Sequence, residues 1–551
     1  MRIAKRIEEV LPVLEFAESE AHSGSHVAVM LSYEAAPAFD SAFITHEPTD
    51  FPLAWAAVFE HSLEPAQERS VVTSNAWTPR VSREEYEAAV ARIHDLIAAG
   101  DTYQVNYSFP LTSCFSGDPY AWYRSLCMAQ GAPYSVYLDL GRFKVLSLSP
   151  ELFFERRGNH VVTRPMKGTI ARGRWLQEDR AFAGTLQQSR KDRAENVMIV
   201  DLLRNDLGKV SVPGSVRVSS LFDVERFETV WQMTSTVEST LRDGTSLVDL
   251  MTALFPCGSV TGAPKIRTME IIRKLERFPR AAYTGAIGFL RPGGDCVFNV
   301  AIRTVVVDTE TNVATFGVGG GVVIDSTAER EYEECLVKSR FLHAQPVEFQ
   351  LFESILLEDG EYFLLERHLQ RLRDSAEYFG FTFREARISA DLERIAADKR
   401  SGSWKVRLML WRDGGIETNV SAIQPIETRR VTLATEAVDS SDRFLFHKTT
   451  RRVQVEDTIF WNERGEVTES NIANVVVPID RELYTPPVES GLLPGTFRNQ
   501  LLAEGKIKER VITIEELQEV KDFFLINSVR KWMKVFCVLS CAFLSCAFLW
   551  L

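Results

Sequence analysis

The sequence predicts an α+β protein of two successive domains, and three observations carry that reading. A chain of 551 residues exceeds the length over which one hydrophobic core keeps growing, and 45% hydrophobic with 25% charged residues is ordinary globular usage. From about residue 27 to 345, short β-rich runs such as Tyr134-Ser-Val-Tyr-Leu and Ala301-Ile-Arg-Thr-Val-Val-Val-Asp alternate with amphipathic helical patterns. Beyond a hinge near His343-Ala-Gln-Pro a second alternating block follows, with Tyr362-Phe-Leu-Leu, a helix from Glu366 to Phe379 and the strand Lys405-Val-Arg-Leu-Met-Leu-Trp. The expected domains are therefore 1–345 and 350–535, with an apolar tail at 536–551. No internal repeat of the length that builds solenoids is present.

A net charge of −12 leaves no basic surface for nucleic acid, and an acidic protein that binds an anion must supply cations, a metal or helix N-termini locally. The eight cysteines form no C-x-x-C pair, so neither a zinc site nor a disulfide framework is expected. The charged start Met1-Arg-Ile-Ala-Lys-Arg is followed by no apolar core of signal-peptide length, which gives a cytoplasmic reading. Val535 to Leu551 contains no charge and repeats Ser-Cys-Ala-Phe-Leu at 540–544 and 545–549. Its length only reaches the lower end of the bilayer-spanning range of roughly 17–25 residues, so a membrane anchor is disfavoured; its first residues are read as finishing a strand and the duplicated Ser-Cys-Ala-Phe-Leu as an aberrant or non-native extension.

In the first domain, Glu195 precedes Met198, Ile199 and Leu202 by three, four and seven residues, which puts its carboxylate on the core-facing stripe of a helix. One inward Glu is as readily a salt bridge, here to Arg193 or Arg204. Ser326-Thr-Ala-Glu predicts a capping box, and Glu331 and Glu334 then share a helix face, where like charges repel unless a cation lies between them. Three carboxylates from two helices suit Mg²⁺, although solvated Glu pairs are common. Gly258-Ser-Val-Thr-Gly-Ala-Pro-Lys runs into the helical pattern Ile266, Met269, Ile272, Leu275, placing Pro264 in the first turn and free backbone N–H groups where a carboxylate could bind. Gly317-Val-Gly-Gly-Gly permits close backbone approach.

Ser149-Pro-Glu, Arg164-Pro-Met-Lys-Gly-Thr, Ala194-Glu-Asn-Val-Met-Ile-Val-Asp-Leu-Leu-Arg-Asn-Asp, Gly258-Ser-Val-Thr-Gly-Ala-Pro-Lys, Tyr283-Thr-Gly-Ala-Ile-Gly, Ala301-Ile-Arg-Thr and Gly319-Gly-Gly-Val-Val-Ile-Asp-Ser together resemble the chorismate-utilising enzymes, over roughly residues 27–342. The resemblance implies a β-sandwich with helices. It also implies Mg²⁺ on Glu195, Glu331 and Glu334, substrate carboxylate on Arg303 and the Gly319 and Gly321 backbone, Tyr283 and Ser259 lining the pocket, and Glu151 as general acid/base. Gln232 stands where anthranilate synthases carry a histidine. Lys167 lies in P-x-K-G-T, which resembles the aminodeoxychorismate synthases rather than the P-x-A-G-T of their anthranilate- and isochorismate-forming relatives. An amine held beside ring carbon 2 can expel the 4-hydroxyl before ammonia enters, so two displacements leave the stereochemistry retained. No G-x-C-x-G motif is present, so the implied ammonia comes from solution or a separate glutamine amidotransferase. About 26 residues precede the strand at His26, fewer than such enzymes usually carry, which bears on how complete the N-terminal sheet is.

In the second domain Lys448 ends the apolar stretch Phe444-Leu-Phe-His, and Glu469 enters a strand in Thr468-Glu-Ser-Asn-Ile-Ala-Asn. A lone lysine is normally a solvated surface group. Pyridoxal-phosphate chemistry needs an amine for covalent attachment, an acid at the pyridine nitrogen and phosphate ligands; Lys448, Glu469, and Arg371 with the loop Gly491-Leu-Leu-Pro-Gly-Thr-Phe-Arg supply these. His368-Leu-Gln-Arg-Leu, His447-Lys-Thr-Thr, Glu469-Ser-Asn-Ile-Ala-Asn and Asn527-Ser-Val-Arg resemble the fold-type IV pyridoxal-phosphate enzymes, a two-subdomain α/β group holding aminotransferases and aminodeoxychorismate lyase. The resemblance implies phosphate contacts from Arg371, Thr496 and Ser528, a proton-carrying role for Lys448, and substrate carboxylate on Arg530; it allows a homodimer through this domain. The motifs do not separate lyase from aminotransferase. The fusion does, because the product of one half is then the substrate of the other: chorismate and ammonia would give 4-amino-4-deoxychorismate, then 4-aminobenzoate and pyruvate. An aminotransferase-like or inactive second half is the alternative.

Overall fold

The computed structural model describes residues 1–60, 73–74, 76–343, 348–423, 429–452, 458–520 and 522–537. The expected boundary at 345 and residues 538–551 of the apolar tail lie outside them. The chain divides into two units: Met1–Ala171 with Ala183–Val347, and Arg172–Phe182 with Glu348–Leu551.

Among the described residues, the first unit holds a ten-stranded and an eight-stranded sheet, mixed with helices as expected. The larger runs Arg2–Ala4, Ala54–Phe59, His26–Leu31, Ala286–Leu290, Cys296–Val300, Leu152–Arg157, His160–Arg164, Val230–Thr240, Met166–Ala171, with Arg217–Arg226 also paired to Val230–Thr240. The smaller centres on Gln104–Ser116 beside Val313–Val322, whose antiparallel register sets Gly319 opposite Ser108 and Gly321 opposite Asn106. Period-2 alternation sends Val105, Tyr107, Phe109 and Leu111 into one core with Tyr86, Ile93, Tyr332 and Cys335 of the helices Arg83–Ala98 and Ala328–Ser339. The alternate residues, Asn106 among them, leave the opposite face.

Two helix starts differ from expectation. The helix Ala328–Ser339 is entered from Thr327, and the Ser326 hydroxyl does not cap it but donates to Glu331 Oε1 at 2.7 Å. A carboxylate one turn inside the helix outcompetes the N3 amide for that hydroxyl, because a charged acceptor makes the stronger bond. Pro264 precedes rather than opens the helix Lys265–Leu275, and Ile266 is exposed while Thr268, Met269, Ile271 and Ile272 are buried.

In the second unit an antiparallel sheet runs Glu361–Tyr362, Leu351–Glu358, Ser403–Leu410, Ile416–Ala422, and packs with the helices Leu365–Phe379 and Glu385–Asp398 around one core. A second sheet, eight-stranded among the described residues, has Asp522–Asn527 between Lys531–Cys537 and Asn474–Ile479 and carries Val467–Ser470, where Glu469 pairs in register with Asn474. The segment Arg172–Phe182 belongs to this unit. Arg172 and Asp179, both buried, pair at 2.7 Å; the Tyr378 hydroxyl donates to Gly173 O at 2.6 Å; Leu176 joins the core of Leu351, Leu372 and Phe379. A Cβ on Gly173 would lie 2.3 Å from Asp179 N, so the turn accepts only glycine.

Candidate active sites

The first unit contains a cavity of about 210 Å³ lined by Glu151, Lys167, Glu195, Gln232, Ser259, Tyr283, Arg303, Gly319, Gly321, Glu331 and Glu334, the whole set of residues singled out from this half. Lys167 lies on the edge strand Met166–Ala171, where the register with Val230–Thr240 shifts between Met166 and Thr169; such an irregularity re-aims a side chain. Burial is the largest influence on its amine and lowers its pKa, with Lys338 adding to the effect and Glu195 and Glu151 opposing it. Glu151 is buried and pushed up to about 7 by desolvation, while the Ser259 hydroxyl, donating to Oε1 at 2.7 Å, and Lys167 act in the other direction. Both groups are thus biased toward their neutral forms: one an amine able to attack, the other an acid able to give a proton near neutrality.

Arg303 is held at a left-handed φ of 50° and donates to Gln130 Oε1 at 3.0 Å. Desolvation alone pulls its guanidinium down to about 10, and among the described residues no carboxylate pairs with it. A buried cation in that condition calls for an anionic ligand. The glycines are sterically required. A Cβ would lie 2.2 Å from the Tyr283 ring at Gly317, 2.6 Å from Ser108 Cβ at Gly319, and 2.8 Å from Lys167 Nζ at Gly321. Gln232 Nε2 donates to Thr169 Oγ1 at 3.0 Å, which turns it toward the Lys167 strand.

Each of the three carboxylates expected to hold Mg²⁺ has a partner of its own. Among the described residues no three His, Cys, Asp or Glu side chains converge as a metal group. Glu331 accepts from Ser326, Glu334 pairs with Lys338 at 2.8 Å, and Glu195 has Lys191 at 3.9 Å. The physical reason is local: each carboxylate takes the nearest donor its own helix or loop offers. Neither arginine considered for Glu195 is its partner, since Arg204 pairs with Asp201 and Arg193 lies over the Phe222 ring. The donor set nonetheless suits a hard cation. Burial raises the pKa of Glu195 against the opposing charges of Lys167 and Lys191, and Asp192 and Glu331 add smaller upward contributions, so like charges share one cavity. Asp192 and Lys338 also line this cavity, and the sequence reading missed both. Asp192 sits three residues before Glu195 and Lys338 four after Glu334, helical spacings that could have found them. Lys338 Nζ donates to Gly319 O at 2.8 Å, tying the glycine strand to the acidic helix.

The second unit contains a cavity of about 570 Å³ lined by Arg371, Lys448, Glu469, Thr496, Ser528 and Arg530, again every residue expected of it. Burial, followed by the charge of Arg371, pushes the Lys448 amine down to about 7, and its Nζ lies 4.8 Å from the Phe352 ring centre. Glu469 is buried, accepts from Leu493 N at 3.0 Å and engages Arg452. Arg371 grips Glu353 with two parallel hydrogen bonds of 2.8 and 2.7 Å. His368 Nδ1 donates to the same carboxylate at 2.6 Å, and its Nε2 lies 3.2 Å from Thr496 Oγ1. Glu353 therefore orders both Arg371 and Thr496, and the sequence reading missed it; its signal was an acidic residue at an inward position of the strand Leu351–Glu358. Thr496 opens the helix Thr496–Ala503, and Ser528 Oγ donates to Ser354 O at 3.4 Å. His447 is buried and pushed down to about 3, with Nδ1 2.9 Å from Ser375 Oγ and Nε2 donating to Arg174 O at 3.2 Å, so it acts as a neutral spacer that fixes the next residue, Lys448. An amine, an acid facing it, and a cation and hydroxyl ordered by one carboxylate fit pyridoxal phosphate in number and kind.

Comparison with known proteins agrees with this division. Residues 3–344 match the chorismate binding enzyme family, and residues 350–536 match the amino-transferase class IV family. The chain belongs to the chorismate binding enzyme family, with a class IV aminotransferase domain fused behind it. It is 44% identical over 272 residues to aminodeoxychorismate synthase component 1 of Salmonella typhimurium, covering 49% of this chain and 59% of that protein. It is 40% identical over 274 residues to aminodeoxychorismate synthase component 1 of Bacillus subtilis, covering 50% and 58%. The chain thus spans about three-fifths of the length of these curated relatives. Among solved structures, anthranilate synthase component I from Streptococcus pneumoniae superposes with a TM-score of 0.53 at 27% identity, covering 60% of this chain and 85% of that one. Among the described residues no helix is long and apolar enough to cross a membrane.

Proposed function

We propose that the chain converts chorismate and ammonia to 4-amino-4-deoxychorismate in its first unit and releases pyruvate from that product in its second, leaving 4-aminobenzoate. One observation carries the first step: Lys167 lies buried in the cavity that also holds Glu151 and Arg303. Arg303 would take a substrate carboxylate. The neutral Lys167 amine would attack ring carbon 2 while Glu151 gives its proton to the departing 4-hydroxyl; ammonia would then attack carbon 4, and the lysine would leave. Asp192, Glu195, Glu331 and Glu334 would hold Mg²⁺, which supplies neutralising charge for a substrate carboxylate. Ammonia would come from a separate glutamine amidotransferase, a reading supported by the similarity to component 1 of aminodeoxychorismate synthases.

In the second unit, pyridoxal phosphate would supply an electron sink for the carbanion formed beside the substrate nitrogen. Arg371, Thr496 and Ser528 would hold its phosphate, Glu469 its pyridine nitrogen and Lys448 its aldehyde carbon. With its amine free, Lys448 would take the proton from the substrate carbon and return one as the enol of pyruvate departs. Supplying 4-amino-4-deoxychorismate to the holoprotein tests this half directly. Equal yields of 4-aminobenzoate and pyruvate are expected, whereas transfer of the amino group to the cofactor without pyruvate would make this half an aminotransferase.

A further inference from the structure

We propose that Lys405 and Arg407 form a carboxylate-reading face in the second cavity, which selects a substrate carrying two carboxylates over one carrying a single carboxylate. The inference rests on the reading of this half as the pyruvate-releasing one and names how it would recognise its substrate. The two residues lie two apart on the strand Ser403–Leu410, so their side chains leave the same face, and both line the cavity. Register sets Ser354 opposite Arg407 and Ser421 opposite Lys405, and these serines line the cavity too. One sheet face thus offers two cations and two hydroxyls.

These cations differ from two arginines that also line the cavity. Arg371 is committed to Glu353, and Arg452 to Glu469. Among the described residues no carboxylate lies within ion-pair distance of Lys405 or Arg407. Burial lowers the pKa of the Lys405 amine, and the charges of Arg407 and Arg530 lower it further, so these cations crowd one another. The Arg407 guanidinium stacks over the Phe352 ring at 4.4 Å, and Lys448 Nζ lies 4.8 Å from the centre of the same ring. The stack fixes the plane of the guanidinium and leaves its N–H groups available, within one aromatic ring of the amine that would do the chemistry.

The chemistry of the ligand follows. A guanidinium fork accepts one carboxylate through two parallel hydrogen bonds, and a lysine ammonium two residues along the strand attracts a second as a point charge. An apolar amino acid offers one carboxylate and would leave one of these cations unmatched. 4-Amino-4-deoxychorismate offers two, one on the ring and one on the enolpyruvyl ether.

The test follows the visible absorption of the holoprotein titrated with isophthalate, which has two carboxylates, and benzoate, which has one. Wild type should prefer isophthalate by at least about tenfold, and Arg407→Met and Lys405→Met should each reduce that preference several-fold, with Arg407→Lys in between. Affinity for pyridoxal phosphate should stay unchanged in all three. A preference that survives both methionine substitutions overturns the inference. So does a loss of cofactor affinity, which would assign these cations to the phosphate. Pyruvate release from supplied 4-amino-4-deoxychorismate is scored separately. Pyruvate release with an unaltered preference refutes the reader alone, and an intact reader without pyruvate refutes the reaction assigned to this half.

Discussion

Lys167 and Lys448 meet the same physical requirement by the same means: a lysine is a nucleophile only when neutral, and each is buried enough to lower its pKa. For Lys448 the value of about 7 fixes a pH window. Above it the amine is free, so the rate at which cofactor-free protein captures pyridoxal phosphate should rise through pH 7 and level off beyond it. A rate still climbing toward pH 10 would place the amine in water. In the first unit the Ser259 hydroxyl lowers the pKa of Glu151 by stabilising its ionised form. Ser259→Ala removes that donor, so Glu151 should stay protonated to higher pH, and the alkaline limb of the amination rate should move upward as the maximal rate falls. An unmoved limb would mean that Glu151 is not the acid. Lys167→Ala should abolish amination and leave pyruvate release from supplied 4-amino-4-deoxychorismate at the wild-type rate.

In the strand Val313–Val322 the run of glycines meets a steric need. At Gly321 an added methyl would press on Gln104 and on Lys167 Nζ, so Gly321→Ala should cost about 1–3 kcal/mol of stability through overpacking. It should also slow amination by at least about tenfold, since misplacing a reacting atom by an ångström has effects of that order or more. Unchanged amination by a folded Gly321→Ala protein would detach the strand from the nucleophile. How far such arrangements can be read from sequence depends on the period they follow. Glu195 was legible because helical spacing turns it inward, Glu331 and Glu334 because that spacing puts them on one helix face, and Lys448 and Glu469 because they stand in recognisable runs. Glu353 escaped because the two residues it organises, His368 and Arg371, come from a helix packed on its strand, a pairing no local period encodes. The start of the helix Ala328–Ser339 was misread because Ser326 had a charged acceptor within reach that the capping pattern does not consider.

Length and the succession of patterns led to two successive domains, 1–345 and 350–535, and one part of the observed division departs from them. The segment Arg172–Phe182 lies within the sequence of the first domain and folds with the second unit, where Arg172 donates to Tyr378 O and Arg174 O receives the His447 imidazole. Contacts separated by about two hundred residues or more leave no trace in local composition. Breaking the buried Arg172–Asp179 pair by Asp179→Ala should destabilise the second unit by about 3–5 kcal/mol, because it leaves a buried cation without its counter-charge. Denaturant unfolding followed through the visible band of the bound cofactor measures this. A midpoint equal to wild type would show that the segment is only laid on the surface.

The whole reading is tested most directly by giving the holoprotein chorismate, ammonium and Mg²⁺ and following every product in time. 4-Amino-4-deoxychorismate should appear first and give way to 4-aminobenzoate and pyruvate in equal amounts, and Lys448→Ala should stop at the intermediate because the amination proposed for the first unit does not use Lys448. Absence of any aminated product, or 4-aminobenzoate formed by Lys448→Ala at the wild-type rate, would contradict it.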